Sequence, residues 1–305
     1  MIDEDFLERL LSEATIRVNH SSAASSPTPA ESSEFPIQTT VQTQFPDSLT
    51  EPVEREPEHE ENKPIVTDVV RTSTARFSGA VWFNKIQEQV IIVGGQGGIS
   101  SWFTFLAARM FPRSIYTYDP DRVEMVNLAG QLFSRDDIGM YKGDAVSRTV
   151  GKFSEYRSMF VVNERFTEET NPTKIMVCGF DNMEARKVFY NKWKELVNNQ
   201  KPLERKECLF IDGRLAAESL QILCIVGDAS WDMAKYEKEF LFSDSEVEVA
   251  TCSFKQTAFM ANMIAALMVN MLANFCANLC GGCRTIPFYT QYEADQMYMK
   301  LEGGV

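Results

Sequence analysis

From about residue 65 onward the chain alternates short apolar runs with longer mixed ones. "QVIIVG" (89–94) is a β-branched run closed by glycine, the pattern of a strand buried on both faces. "SSWFTFLAARMF" (100–111) follows with helical length, and "SIYTYD" (114–119) returns to strand. The same rhythm predicts a helix in "DDIGMYKGDAVSRTVGKFS" (136–154) and a strand in "MFVVNERF" (159–166). "KIMVCGFD" (174–181), the helix "NMEARKVFYNKWKELVNN" (182–199), "CLFIDGR" (208–214) and "LQILCIVG" (220–227) continue it. Strands separated by helices call for right-handed β-α-β units, hence an α/β fold with a doubly wound, mostly parallel sheet.

The most apolar stretch is "FKQTAFMANMIAALMVNMLANFCANL" (254–279). At about 1.5 Å per residue it is long enough for a bilayer. Asn262, Asn270, Asn274 and Asn278 fall four or eight apart, however, and draw a polar stripe that lipid disfavours. The expectation is a buried core or dimer-interface helix and no membrane. Ahead of residue 65 the pattern changes. Residues 1–18 space Ile2, Phe6, Leu10 and Ala14 as an amphipathic helix, which either docks on its own domain or meets an unknown partner. Residues 19–64 are rich in Ser, Thr, Pro and Glu and are expected to be a disordered acidic linker. Residues 65–305 form the expected folded domain.

Charge sharpens this division. Residues 1–64 hold 14 Asp and Glu against 4 Lys and Arg, which is most of the net charge of −13. So acidic a chain is not expected to bind nucleic acid. The two histidines, His20 and His59, both lie in the tail, which excludes His-based triads and His-ligated metal from the folded domain. An odd count of seven cysteines in a long chain with an acidic start points to reduced thiols and a cytoplasmic location.

Candidate chemistry begins at Gly95-Gln96-Gly97-Gly98-Ile99-Ser100, between a strand and a helix. Glycines there bring the backbone close to phosphate oxygens, with the helix dipole behind. Asp119, at the end of the next strand, suits ribose hydroxyls. These features alone fit a nicotinamide-dependent oxidoreductase equally well.

Three later motifs separate the two readings. "YDPDRVEMVNLAGQLF", "DIGMYK" and "GFDNMEAR" follow "GQGGIS" in fixed order. Together they resemble the ThiF-type adenylyltransferases (the ThiF, MoeB and HesA group, which includes ubiquitin-activating enzymes), in their small prokaryotic or phage-type form. The resemblance covers about residues 65–288. It implies a Rossmann-like sheet with an extra C-terminal sheet portion and the long apolar helix. It also implies ATP and Mg²⁺, a homodimer, and a small ubiquitin-like or sulfur-carrier protein as partner, its C-terminal carboxylate being converted to an acyl-adenylate with release of pyrophosphate. By the same resemblance Gly95, Gly97, Gly98 and Ser100 cradle phosphates and Asp119 holds ribose. Asn127 and Gln131 flank the triphosphate, Lys142 neutralises the α-phosphate, Asp181 holds Mg²⁺, and Asn182 and Arg186 complete that motif.

The sequence also departs from the family pattern. Gly130 stands where the family has arginine in its N-L-x-R-Q motif. Losing that charge leaves open a nucleotide-binding pseudoenzyme or scaffold. Arg214, Arg71 and Arg76 are candidates to replace it, Arg214 having an ion pair with Asp212 or Glu218 as its other reading. Cys280-Gly-Gly-Cys283 is the only CxxC pair, so zinc is not expected. Cys252, just before the long helix, is placed to accept an acyl group, its other reading being a small buried residue.

Overall fold

The computed structural model describes residues 72–242 and 256–304. The amphipathic segment, the acidic linker, Arg71 and Cys252 lie outside the described residues. Eight strands form one sheet: β1 (Val90–Gly94), β2 (Ser114–Tyr118), β3 (Met159–Val162), β4 (Ile175–Cys178), β5 (Leu209–Leu215), β6 (Ser219–Val226), β7 (Tyr289–Glu293) and β8 (Tyr298–Glu302). Their order across the sheet is β3-β2-β1-β4-β5-β6-β7-β8. The first five are parallel, and β6, β7 and β8 join antiparallel. The chain therefore reverses direction across the sheet between β1 and β4, where crevices open in such folds.

Alternation along the strands explains the two layers. Ile91 and Val93 of β1 face one core with Ile175 and Val177 of β4 and Leu209 and Ile211 of β5. Ile92, Met176, Cys178 and Phe210 face the other. The first side is covered by α1 (Gly98–Ala108), α2 (Lys142–Phe153) and α5 (Ala258–Leu279). The second is covered by α3 (Met183–Asn199) and α4 (Ser230–Glu239), where Tyr190, Trp193, Phe210 and Tyr236 pack ring against ring. Burying one aromatic of this size removes roughly 150–250 Å² of surface from water.

Helix α5 is long and apolar enough to cross a membrane, yet here it packs on α1, β5 and β6. Its asparagine stripe has a local use. Asn274 Nδ2 donates to Thr285 O at 3.0 Å, and Asn278 Nδ2 donates to Arg284 O at 2.8 Å, binding the returning loop to the helix.

Several boundaries differ from the sequence expectation. The helix expected from residue 136 begins at Lys142, after a separate turn at Arg135–Asp137. Gly139 has φ +86°, which no right-handed helix accepts, so the chain breaks there. Helix α1 starts at Gly98 and stops at Ala108, before Phe111 at φ 56° and Pro112. Strand β3 ends at Val162, four residues early. Helix α4 and the β7–β8 hairpin have mixed polarity, so no periodicity marks them, and the hairpin is part of the extra C-terminal sheet portion that the resemblance implied.

Candidate functional site

The ends of β1, β2 and β4 bring the predicted residues together. Gly95 turns the chain out of β1 at φ +76°, and its N–H donates to Tyr118 O at 2.9 Å. A Cβ there would meet Gly179 O at 3.1 Å, so the turn is closed to other residues by conformation and by space. The next amide, Gln96 N–H, donates to Asp119 Oδ2 at 2.5 Å. Asp119 Oδ1 accepts the Asp121 N–H at 2.8 Å. Asp119 is buried, and burial outweighs these two amides and Lys142, holding its pKa above the ordinary aspartate value.

Gly97 is the N-cap of α1, and the helix has no side-chain cap. Its first amides are thus left for an acceptor from outside. Ser100 Oγ donates to Gly94 O at 3.2 Å, so this hydroxyl fastens helix to strand. Gln131 Nε2 lies 4.0 Å from where a Gly97 Cβ would stand. Gln131 Oε1 and Gln96 Oε1 are both buried with no hydrogen-bond partner, and buried polar atoms of this kind call for a ligand or water. Asn127 Oδ1 accepts the Glu124 N–H at 2.8 Å and caps the turn Met125–Ala129. That bond leaves the Asn127 amide nitrogen available.

Lys142 opens α2. It is buried, and its ammonium lies 2.9 Å from Asp121 Oδ2. The solvated helix-face lysine is therefore not what forms. Asp181 follows β4 and is exposed, with Asn182 Nδ2 donating to its Oδ1 at 3.3 Å. Asn182 is also the N-cap of α3, its Oδ1 accepting the Ala185 N–H at 2.9 Å.

Two predicted cations point inward. Arg186 donates to Asp212 Oδ1, to Phe180 O, and to Gly213 O at 3.2 Å. Desolvation works against its charge, but Asp212 prevails and holds the pKa up. Arg214 donates to Asp212 Oδ2 through Nε and a terminal nitrogen, both at 3.0 Å, and to Phe240 O at 2.7 Å. Arg186, which by resemblance completes the Asp181 motif, and Arg214, for which an ion pair with Asp212 was the other reading, thus meet on the buried Asp212, joined by Tyr236 Oη at 2.9 Å. This set sits at the end of β4, where Asp212 pairs with Cys178 and Arg186 holds Phe180 O, next to Asp181. Arg76 is exposed, beside the Phe77, Trp82 and Phe83 cluster.

Cys280 and Cys283 are exposed, while Cys276 is buried and its thiol is pushed up to about 12 by desolvation. Among the described residues, no group of three or more His, Cys, Asp and Glu converges.

A family model described as the ThiF family matches residues 70–301. The chain belongs to the ThiF family. Three solved structures share its fold. PaaA has a TM-score of 0.59 at 12% identity, covering 81% of this chain and 77% of that one. Escherichia coli MccB with MccA-N7isoASN has 0.57 at 18%, covering 76% and 71%. E. coli TcdA, a tRNA N6-threonylcarbamoyladenosine dehydratase, has 0.53 at 14%, covering 71% and 98%. The ubiquitin-like modifier-activating enzyme 5 of Drosophila willistoni is 24% identical over 123 residues, covering 34% of this ThiF-family chain and 30% of the relative. The chain thus spans about a third of the length of the curated relative it matches.

Gln256 was not singled out in the sequence. It precedes α5 and lies against both Gly98 and Gly130. No local motif marks it, because its partners are over a hundred residues away.

Proposed function

We propose that this chain is an ATP- and Mg²⁺-dependent adenylyltransferase acting on the C-terminal carboxylate of a small protein. The ubiquitin-like or sulfur-carrier class, ending in Gly-Gly, is the preferred substrate, and a cytoplasmic homodimer the preferred form. The observation that carries the reading is the set of groups at the β1–β4 switch point. An uncapped helix start, a buried Asp119, the Lys142 ammonium and the Asp181 carboxylate come from four separate segments.

The residues fit ATP. Orphaned Gln96 and Gln131 oxygens, together with the Asp119 carboxylate, offer acceptors for hydroxyl and amino groups. The α1 N-terminus and Lys142 offer donors for phosphate. Asp181 fits Mg²⁺, which is commonly held by one or two carboxylates together with substrate phosphates. When bound, the nucleotide supplies an electrophilic α-phosphorus and a pyrophosphate leaving group. Lys142 then stands where charge grows, already held by Asp121. A carboxylate nucleophile is ionised at neutral pH, so no protein base is needed, consistent with a domain that lacks histidine.

Two of the relatives' names support a polypeptide substrate, while TcdA is named for tRNA. MccB is described with MccA, and the Drosophila protein as an activator of a ubiquitin-like modifier. In the same reading, the thiolate of Cys252, which lies outside the described residues, would attack the acyl-adenylate carbonyl to form a thioester as the acyl–phosphate bond breaks and AMP leaves. Pyrophosphate–ATP exchange tests it, with carrier proteins and peptides offered as carboxylates. Exchange that vanishes in Asp181→Ala supports it. Nucleotide binding without exchange for any carboxylate would favour the scaffold reading, for which Gly130 is the specific observation.

A further inference from the structure

The glycine at 130 has a structural counterpart. A Cβ built on Gly130 would lie 2.8 Å from Gln256 Cγ and 3.2 Å from its Cδ. A Cβ built on Gly98 would lie 1.9 Å from Gln256 Oε1. One glutamine therefore fills a slot that exists because two glycines lack side chains. Gly98 is the first residue of α1, where the amides are uncapped. Gln131, whose Oε1 is buried and unpartnered, flanks the neighbouring Gly97.

We propose that Gln256 is a nucleotide-positioning residue, its amide bonding the triphosphate from the volume that a side chain at position 130 would otherwise enter. This inference rests on the adenylyltransferase reading above. Rotating the last side-chain bond by half a turn exchanges the amide oxygen and nitrogen, so a donor reaches the same place. Gln256 is half-buried, and among the described residues its amide has no hydrogen-bond partner. The geometry also couples the two positions: a side chain at 130 would require the Gln256 side chain to move from its present place. A charged contact from the 127–131 turn has been exchanged for a neutral one from the start of α5.

Calorimetric titration of the full chain with magnesium ATP and with adenosine tests the assignment without any carboxylate substrate. Gln256→Ala should weaken ATP about tenfold, the order expected for one lost hydrogen bond, and leave adenosine unchanged. Gln256→Glu, which keeps the shape and adds a charge opposed to phosphate, should weaken ATP further. Gly130→Arg alone should bind ATP poorly, and Gly130→Arg with Gln256→Ala should recover binding. Variants that bind ATP like the parent, or that lose ATP and adenosine equally, overturn the inference and leave the adenylyltransferase reading intact. A parent chain that takes up no nucleotide overturns both.

Discussion

The Asp119 carboxylate accepts the Gln96 backbone N–H at 2.5 Å, tying the glycine turn after β1 to the end of β2. One carboxylate thus shapes the turn, and its remaining lone pairs are the ones the proposed function assigns to ribose hydroxyls. Asp119→Ala should cost nucleotide affinity about 1.5–3 kcal/mol, the range for hydrogen bonds to a charged group, or roughly 10- to 100-fold. Calorimetry with ATP would show it. An unchanged affinity would remove Asp119 from the binding site.

The same residue sets a pH dependence. Burial raises its pKa in the fold, so the folded state holds that proton more tightly than the unfolded chain does. Its contribution to stability is full below the unfolded pKa and is lost as pH rises through the folded one. Urea midpoints of parent and Asp119→Ala should therefore move apart in the parent's favour as pH falls from about 7 to about 4. Nucleotide affinity should run the other way, since the ionised form accepts ribose hydroxyls. A gap between parent and variant that is flat across pH would contradict the buried position.

Much of this was legible in the sequence, and the limits have physical causes. The β-branched runs at Val90–Gly94 and Ile175–Cys178 announced buried strands because a parallel strand covered on both faces has no polar positions. The glycine turn and Asp119 were legible because their chemistry is local. The Arg214–Asp212 ion pair was one of two readings because the residues are two apart, whereas the pairing of Arg186 with Asp212 was not legible, since it forms only once β4, β5 and α3 are packed. Helix α4 and the β7–β8 hairpin bury too few apolar side chains to impose a period. Gln256 acts across a distance in sequence that no window spans.

Gly95 and Gly139 separate backbone strain from site geometry. Both have positive φ, +76° and +86°, but a Cβ on Gly139 meets nothing within 4 Å whereas one on Gly95 meets Gly179. Alanine at either should cost about 1–2 kcal/mol for the left-handed backbone. Only Gly95→Ala should also impair nucleotide binding, because the turn must shift away from Gly179. Thermal melts with and without ATP would distinguish them. An equal loss of binding in both would mean the turn has no special place in the site.

Asp212 holds Arg186, Arg214 and Tyr236 at once and is fully buried. Replacing it by alanine leaves two guanidinium groups without their anion in a low-dielectric interior, a loss of about 3–5 kcal/mol. Replacing Arg186 by methionine removes one cation but leaves Asp212 paired with Arg214, so the loss should be smaller. The order of melting temperatures should be parent, Arg186→Met, then Asp212→Ala. Arg186 is buried and its guanidinium is taken up by Asp212, Phe180 O and Gly213 O, so a chain that still folds after Arg186→Met should keep most of its ATP affinity. If Arg186→Met abolishes binding while its melting temperature stays near the parent's, the guanidinium contacts the nucleotide directly and the buried assignment is wrong.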